Sequence, residues 1–134
     1  MHKGFLRTAA ILGLLAVALG AFGAHGLQQI VPADAIKTFE TGVRYQFYHA
    51  LALLAVAIIF EKFPVALIRY AGICFIAGVI LFSGSLYALT AVLATDDVGL
   101  QKLGIITPFG GLFFIAGWIC LFLGIGKRGH GLKP

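Results

Sequence analysis

Gly20-Ala21-Phe22-Gly23-Ala24-His25-Gly26-Leu27 closes the first apolar run of the chain and sets one ionisable side chain, His25, among glycines and alanines. No ionisable residue occurs upstream of it from Thr8 to Ala24. A run of that length approaches the ~20 residues that cross a bilayer as helix. The octapeptide therefore reads as a membrane edge. Within the run, Ala16, Gly20 and Ala24 are four apart, and Gly13 and Gly20 are seven apart. Small residues so spaced let a neighbouring backbone approach closely. A basic start, an apolar core and Ala21-x-Gly23 also fit a signal peptide cut after Gly23. The small residues repeat along the helix instead of clustering at one cut site, which favours a retained span.

The same pattern recurs outward from this stretch. Cys and Tyr aside, Tyr70 to Thr95 and Leu103 to Gly126 carry no ionisable side chain, and Tyr45 to Phe60 carries only His49. Of the 134 residues 60% are hydrophobic and 11% charged, against roughly 25% charged in a soluble domain. The expectation is an all-α membrane protein of one domain, a four-transmembrane-helix bundle with spans at approximately 4–25, 44–61, 66–93 and 103–126. Between spans one and two, Ile36, Phe39 and Val43 share a face while Asp34, Lys37 and Glu40 occupy others. This reads as a short amphipathic helix at the interface, with Pro32 in its first turn. It can run directly into the second span, which is otherwise short. Glu40 and Arg44 are spaced for an ion pair. Gly110, Gly117 and Gly124 fall seven apart, a seam for near-antiparallel packing.

The net charge of +5 is a topology signal. Basic residues do not interleave with aromatics, so no nucleic acid is expected as a partner. In a four-span topology one side holds Lys3, Arg7, Lys62, Arg69, Lys127, Arg128 and Lys133; the other holds Lys37, Arg44 and Lys102 with Asp34, Glu40, Asp96 and Asp97. The positive-inside rule then puts both termini in the cytoplasm. Cys74 and Cys120 lie in apolar runs without a CxxC spacing and read as small, buried, reduced hydrophobes.

This topology gathers the polar groups on one side. His25 ends helix one at the outer face, and Gln46 and His49 begin helix two there. Ser83, Ser85 and Tyr87 lie in the outer half of helix three, Ser85 ~12 Å deep by helix rise, and Thr107 lies in the first turns of helix four. Polar groups within lipid must pair or line a cavity. The expectation is an outer-half cluster of His25, Gln46, His49, Ser83, Ser85, Tyr87 and Thr107 above an apolar inner half. It either only ties the helices together or forms a pocket for a small ligand, lipid or partner protein. Proton relay lacks groups in series in the inner half. No nucleophile–base–acid set and no phosphate-cradling loop is present. Neither a metal nor a cofactor is expected, and the reading leans against an enzyme. Two rival functions remain: an oligomeric transporter or channel component, and a haem or redox protein using His25 and His49.

Four ordered motifs carry a family resemblance. They are Gly20-Ala21-Phe22-Gly23-Ala24-His25; Thr41-Gly42-x-x-Tyr45-Gln46-x-x-His49; Leu81-Phe82-Ser83-Gly84-Ser85-Leu86-Tyr87; and Thr107-Pro108-x-Gly110-Gly111 followed by Ala116-Gly117-Trp118. With them the chain resembles, over nearly its whole length, the YgdD/YwdK-like family of small bacterial membrane proteins, domain of unknown function four-two-three. The resemblance implies a retained first span and a four-span protein of the bacterial cytoplasmic (inner) membrane. It implies no activity. The bilayer is the expected surrounding; a homo-oligomer or a membrane protein partner is compatible with the small-residue seams.

Overall fold

The computed structural model describes residues 1–95 and 98–127, with the backbone alone at 98–101. Asp96, Asp97 and the basic residues from Arg128 onward lie outside the described residues. Four helices are long and apolar enough to cross a membrane: Lys3–Gln29, Ala33–Ile59, Ala66–Thr95 and Lys102–Gly126. We call the end of the bundle at Lys3, Ile59, Ala66 and Gly126 the base, and the opposite end the crown.

Helix α1 (Lys3–Ala24) begins under a side-chain cap. His2 Nδ1 accepts the Phe5 N–H at 3.2 Å and its ring stacks on Phe5 at 3.9 Å between centroids. The cap satisfies one of the helix's orphan amides. A 3₁₀ turn, Leu27–Gln29, succeeds the helix. Helix α2 (Ala33–Ile59) starts after Pro32, which stands just outside the first turn with extended backbone, and carries Asp34 where the helix dipole favours an anion.

No break separates the amphipathic segment from the second span: both belong to α2. Over 27 residues the helix is ~40 Å long, long enough to cross the ~30 Å apolar layer. Its amphipathic turns pack onto the bundle. Ile36 and Phe39 are buried with Leu27, Val31 and Ala35, and Leu19, Val43, Tyr87 and Leu93 pack around them. The charged residues occupy the face that this packing leaves open. Glu40 and Arg44 are both exposed and do not pair.

The third span is built in three pieces. Helix α3 (Ala66–Gly78) passes into a π turn, Val79–Ser83, and then into α4 (Gly84–Thr95). At the turn, the Gly84 N–H reaches back five residues to the Val79 carbonyl. The one extra residue rotates α4 by about 100° relative to a continuous helix. The rotation is visible in the packing: α3 lies mainly against α5, whereas α4 lies mainly against α2. Helix α5 (Ile106–Gly126) is preceded by a 3₁₀ segment, Val98–Ile105. Pro108 falls in its first turn, where the missing N–H has no intrahelical partner to lose.

The contact of the third span with α5 rests on repeats of seven in both, the third span's running from α3 into the π turn. Gly110 faces the backbone of Phe82, Gly117 faces Phe75 and Gly124 faces Ile68. A Cβ at Gly117 would stand 2.6 Å from the Phe75 ring, and one at Gly124 2.6 Å from Ile68 Cδ1. Gly13 and Gly20 behave differently from the expected seam. A Cβ at Gly13 would meet nothing within 4 Å, and one at Gly20 only Val43 at an ordinary 3.4 Å. The buried face of α1 runs through Phe5, Ala9, Ala16 and Gly23, to one side of those two glycines. Cys74 and Cys120 are half-buried, not buried.

Candidate functional site

Two apolar cores divide the bundle. The base core is centred on Leu53, Val56, Ile68, Ala71 and Phe75; the crown core is the group of Leu27, Val31, Ala35, Ile36 and Phe39. Between them lies a layer of polar side chains. Gln46, His49, Ser83, Ser85 and Thr90 are all buried. The layer is thus covered from both sides, where an apolar half on one side alone was expected. The crown-side cover comes from the amphipathic turns of α2, because these fold onto the bundle.

Helix periodicity builds the layer. Gly42, Gln46 and His49 recur on one face of α2, the face that continues through Leu53 and Val56 into the base core. Gln46 is the hub. Its Nε2 donates to the Leu12 carbonyl of α1 at 2.9 Å, and its Oε1 accepts the Tyr87 hydroxyl of α4 at 2.7 Å. One amide therefore joins three helices. Tyr87 reaches it across Gly42, where a Cβ would stand 2.8 Å from the ring. Ser83, the last residue of the π turn, donates to the Gly42 carbonyl at 2.6 Å. Ser85 donates to the Phe82 carbonyl at 2.8 Å and lies 2.6 Å from Thr107 Oγ1, tying the third span to α5.

His49 has a separate environment. Its ring stacks on Phe114 with centroids 3.6 Å apart and planes 9° apart. Nδ1 lies 2.8 Å from the Tyr45 carbonyl, and Nε2 accepts the Trp118 indole N–H at 3.2 Å. A carbonyl only accepts and an indole only donates, so these partners select the neutral tautomer protonated at Nδ1. His49 does not stand at the start of its helix. It lies ten residues from the end of α2 at Ile59, ~15 Å along the helix, half of the ~30 Å apolar thickness. The expectation that Gln46 and His49 begin the helix fails because α2 starts eleven residues before Arg44, at Ala33.

Six of the seven expected residues, Gln46, His49, Ser83, Ser85, Tyr87 and Thr107, are thus engaged in or beside this layer. The seventh is not. His25 directly succeeds the last residue of α1, is exposed, and its ring makes no hydrogen bond among the described residues. Leu12 is level with Gln46, and His25 lies thirteen residues further toward the crown, ~20 Å by helix rise. His25 and His49 therefore do not share a site, and the His49 nitrogen that could face a metal is taken by Trp118. The described residues contain no group of three His, Cys, Asp or Glu side chains placed to hold a metal ion.

The expected cluster left out the Leu12 carbonyl, and also Gly42 and Trp118, although both stand in the quoted motifs. A signal for Trp118 was present. It is the only tryptophan in the chain, it falls within a span, and an indole N–H in lipid needs an acceptor. Nothing marks Leu12, since any helical carbonyl can accept a second bond.

Comparison with known proteins agrees with the membrane reading. A family model described as a protein of unknown function, DUF423, matches residues 19–111. The UPF0382 membrane protein YwdK of Bacillus subtilis is 44% identical over 120 residues, 89% of this chain and 93% of its own. A UPF0382 membrane protein of Haemophilus influenzae is 41% identical over 127 residues, 92% of this chain and 94% of its own. The UPF0382 inner membrane protein YgdD of Escherichia coli is 37% identical over 116 residues, 87% of this chain and 84% of its own. No solved structure matches the chain.

Proposed function

The chain belongs to the DUF423 family of membrane proteins, and from that premise we propose a non-enzymatic inner-membrane protein whose buried polar layer clamps its helices together. It acts by contact with lipid or a membrane partner, not by chemistry in the layer. The base faces the cytoplasm. Among the described residues, Lys3, Arg7, Lys62, Arg69 and Lys127 lie on the base side against Lys37, Arg44 and Lys102 on the crown side, which supports that orientation. The name of the Escherichia coli relative, an inner membrane protein, supports the choice of membrane.

One observation carries the clamp reading. Among the described residues, no buried side-chain nitrogen or oxygen lacks a hydrogen-bond partner. A site that awaits a ligand keeps convergent donors and acceptors for it. Here Gln46, His49, Ser83, Ser85 and Tyr87 spend theirs on one another, on helix carbonyls, on Thr107 and on Trp118.

Native mass spectrometry of protein released from membranes without added ligand tests this. The expected result is that no small-molecule adduct depends on the layer, while His49→Leu and Gln46→Leu each lower the unfolding temperature in detergent. A stoichiometric small molecule that disappears in those two variants would sink the clamp reading and establish a ligand pocket in its place.

A further inference from the structure

A second feature lies at the base, and it shares no residue with the polar layer. The chain leaves α2 at Phe60, turns through Glu61–Phe63 and enters α3 after Pro64. The turn leaves an open cleft of about 420 Å³ beside the first turns of α3. Its walls are Phe60, Pro64, Val65, Ala66 and Ile73, and its polar groups belong to Arg69 and Tyr70. The volume falls within the ~300–1,000 Å³ of small-molecule clefts.

Arg69 is exposed, yet it lies in a membrane-spanning helix. It stands three residues from the start of α3, ~5 Å along the helix, the level at which a lipid headgroup meets its chains. Among the described residues no carboxylate lies within ion-pair distance of it. Glu61, the acidic residue of the adjoining turn, is engaged by the Met1 amine at 3.6 Å. Lys3, Arg7, Lys62 and Lys127 add positive charge at the same end. Tyr70 is 54% exposed beside Arg69, as suits an aromatic ring at the headgroup level.

We infer that this cleft holds one anionic phospholipid of the base-side leaflet. An acyl chain lies along Phe60, Val65 and Ile73, and the headgroup phosphate takes the Arg69 guanidinium, whose paired N–H donors match phosphate oxygens. Basic clefts between spans bind anionic headgroups for this reason. The inference goes beyond the clamp reading and does not rest on it.

The test is lipid retention in native mass spectrometry of the full chain, reconstituted in vesicles of equal phosphatidylglycerol and phosphatidylcholine and released under graded activation. The wild-type chain is expected to keep one phosphatidylglycerol. Arg69→Gln should reduce that retention about fivefold, the loss of one charge–headgroup contact. Ile73→Trp, which fills the cleft, should reduce it as well. Lys127→Gln, a charge change at the same end outside the cleft, should leave it unaltered. Equal retention of both lipids, full retention by Arg69→Gln, or an equal loss in Lys127→Gln would overturn the inference. So would displacement of the lipid by inorganic phosphate, which would make the site one for free anions. Should Arg69→Gln fail to fold by circular dichroism, Arg69→Lys takes its place; partial retention is then expected, and full retention is the overturning result. An adduct lost with Gln46 or His49 but kept in Arg69→Gln overturns both this inference and the clamp reading. Loss with Arg69 alone supports this inference and leaves the clamp reading intact.

Discussion

The contact of α3 with α5 and the contacts of α2 with α1 and α4 join helices in opposite ways. Along the third span and α5, glycine admits Ile68, Phe75 and the Phe82 main chain at intervals of seven, and among the described residues the hydrogen bond that joins the two is that of Ser85 with Thr107. Around α2, Gln46 and the Gly42 carbonyl hold neighbouring helices by directed bonds. In lipid no hydrophobic gain separates protein from solvent, so close packing and internal bonds must supply the association. The first mechanism is steep and the second shallow. An added methyl group meets atoms that cannot withdraw, whereas an interhelical bond in a membrane contributes ~0.6 kcal/mol on average.

The steep side breaks first. Gly110→Ala drives a Cβ into the Phe82 main chain, and overpacking of that kind costs about 3 kcal/mol, the upper end of its usual range. Unfolding in a graded denaturing detergent measures it; a loss below ~1 kcal/mol would mean that the α3–α5 contact is looser than the seam implies. The shallow side is resolved by a double-mutant cycle of Gln46→Leu with Tyr87→Phe. The expected coupling is about 0.6–1.7 kcal/mol, from the same unfolding measurement. Zero coupling would remove Gln46 as the hub of the layer. The smallest effect belongs to a glycine outside both contacts. Gly13→Ala meets open space and should be neutral or stabilising by up to ~1 kcal/mol, the helix preference for alanine. A clear loss there would show that the seam reaches α1 as well.

These contrasts bear on what the sequence could disclose. The spans were legible because lipid forbids charge over long runs, and that constraint leaves gaps of measurable length. The α5 glycines were legible as a repeat, but their partners were not, since Ile68, Phe75 and Phe82 look like any apolar residues of a span. His49 was misplaced for a physical reason. Asp34, Lys37, Glu40 and Arg44 read as an edge in the sequence, but they occupy the exposed face of a helix whose other face is already packed against the bundle. Charge on one face does not end a span. His25 was drawn into the cluster because the cluster was expected at the end of α1, whereas the polar layer meets α1 at Leu12, thirteen residues earlier. The π turn left no trace at all: Val79-Ile80-Leu81-Phe82-Ser83 is ordinary span sequence.

That turn makes the third span a shaft with two keyways, cut about a quarter-turn apart. The stretch before Val79 is keyed to α5, and the stretch after Ser83 is keyed to α2. Side chains beyond the turn are in register with their partners only while the surplus residue is present. A change of one residue in length between 79 and 83 is therefore no local loss. It turns the whole of α4, carrying Tyr87 away from Gln46 and Ser85 away from Thr107 in a single movement.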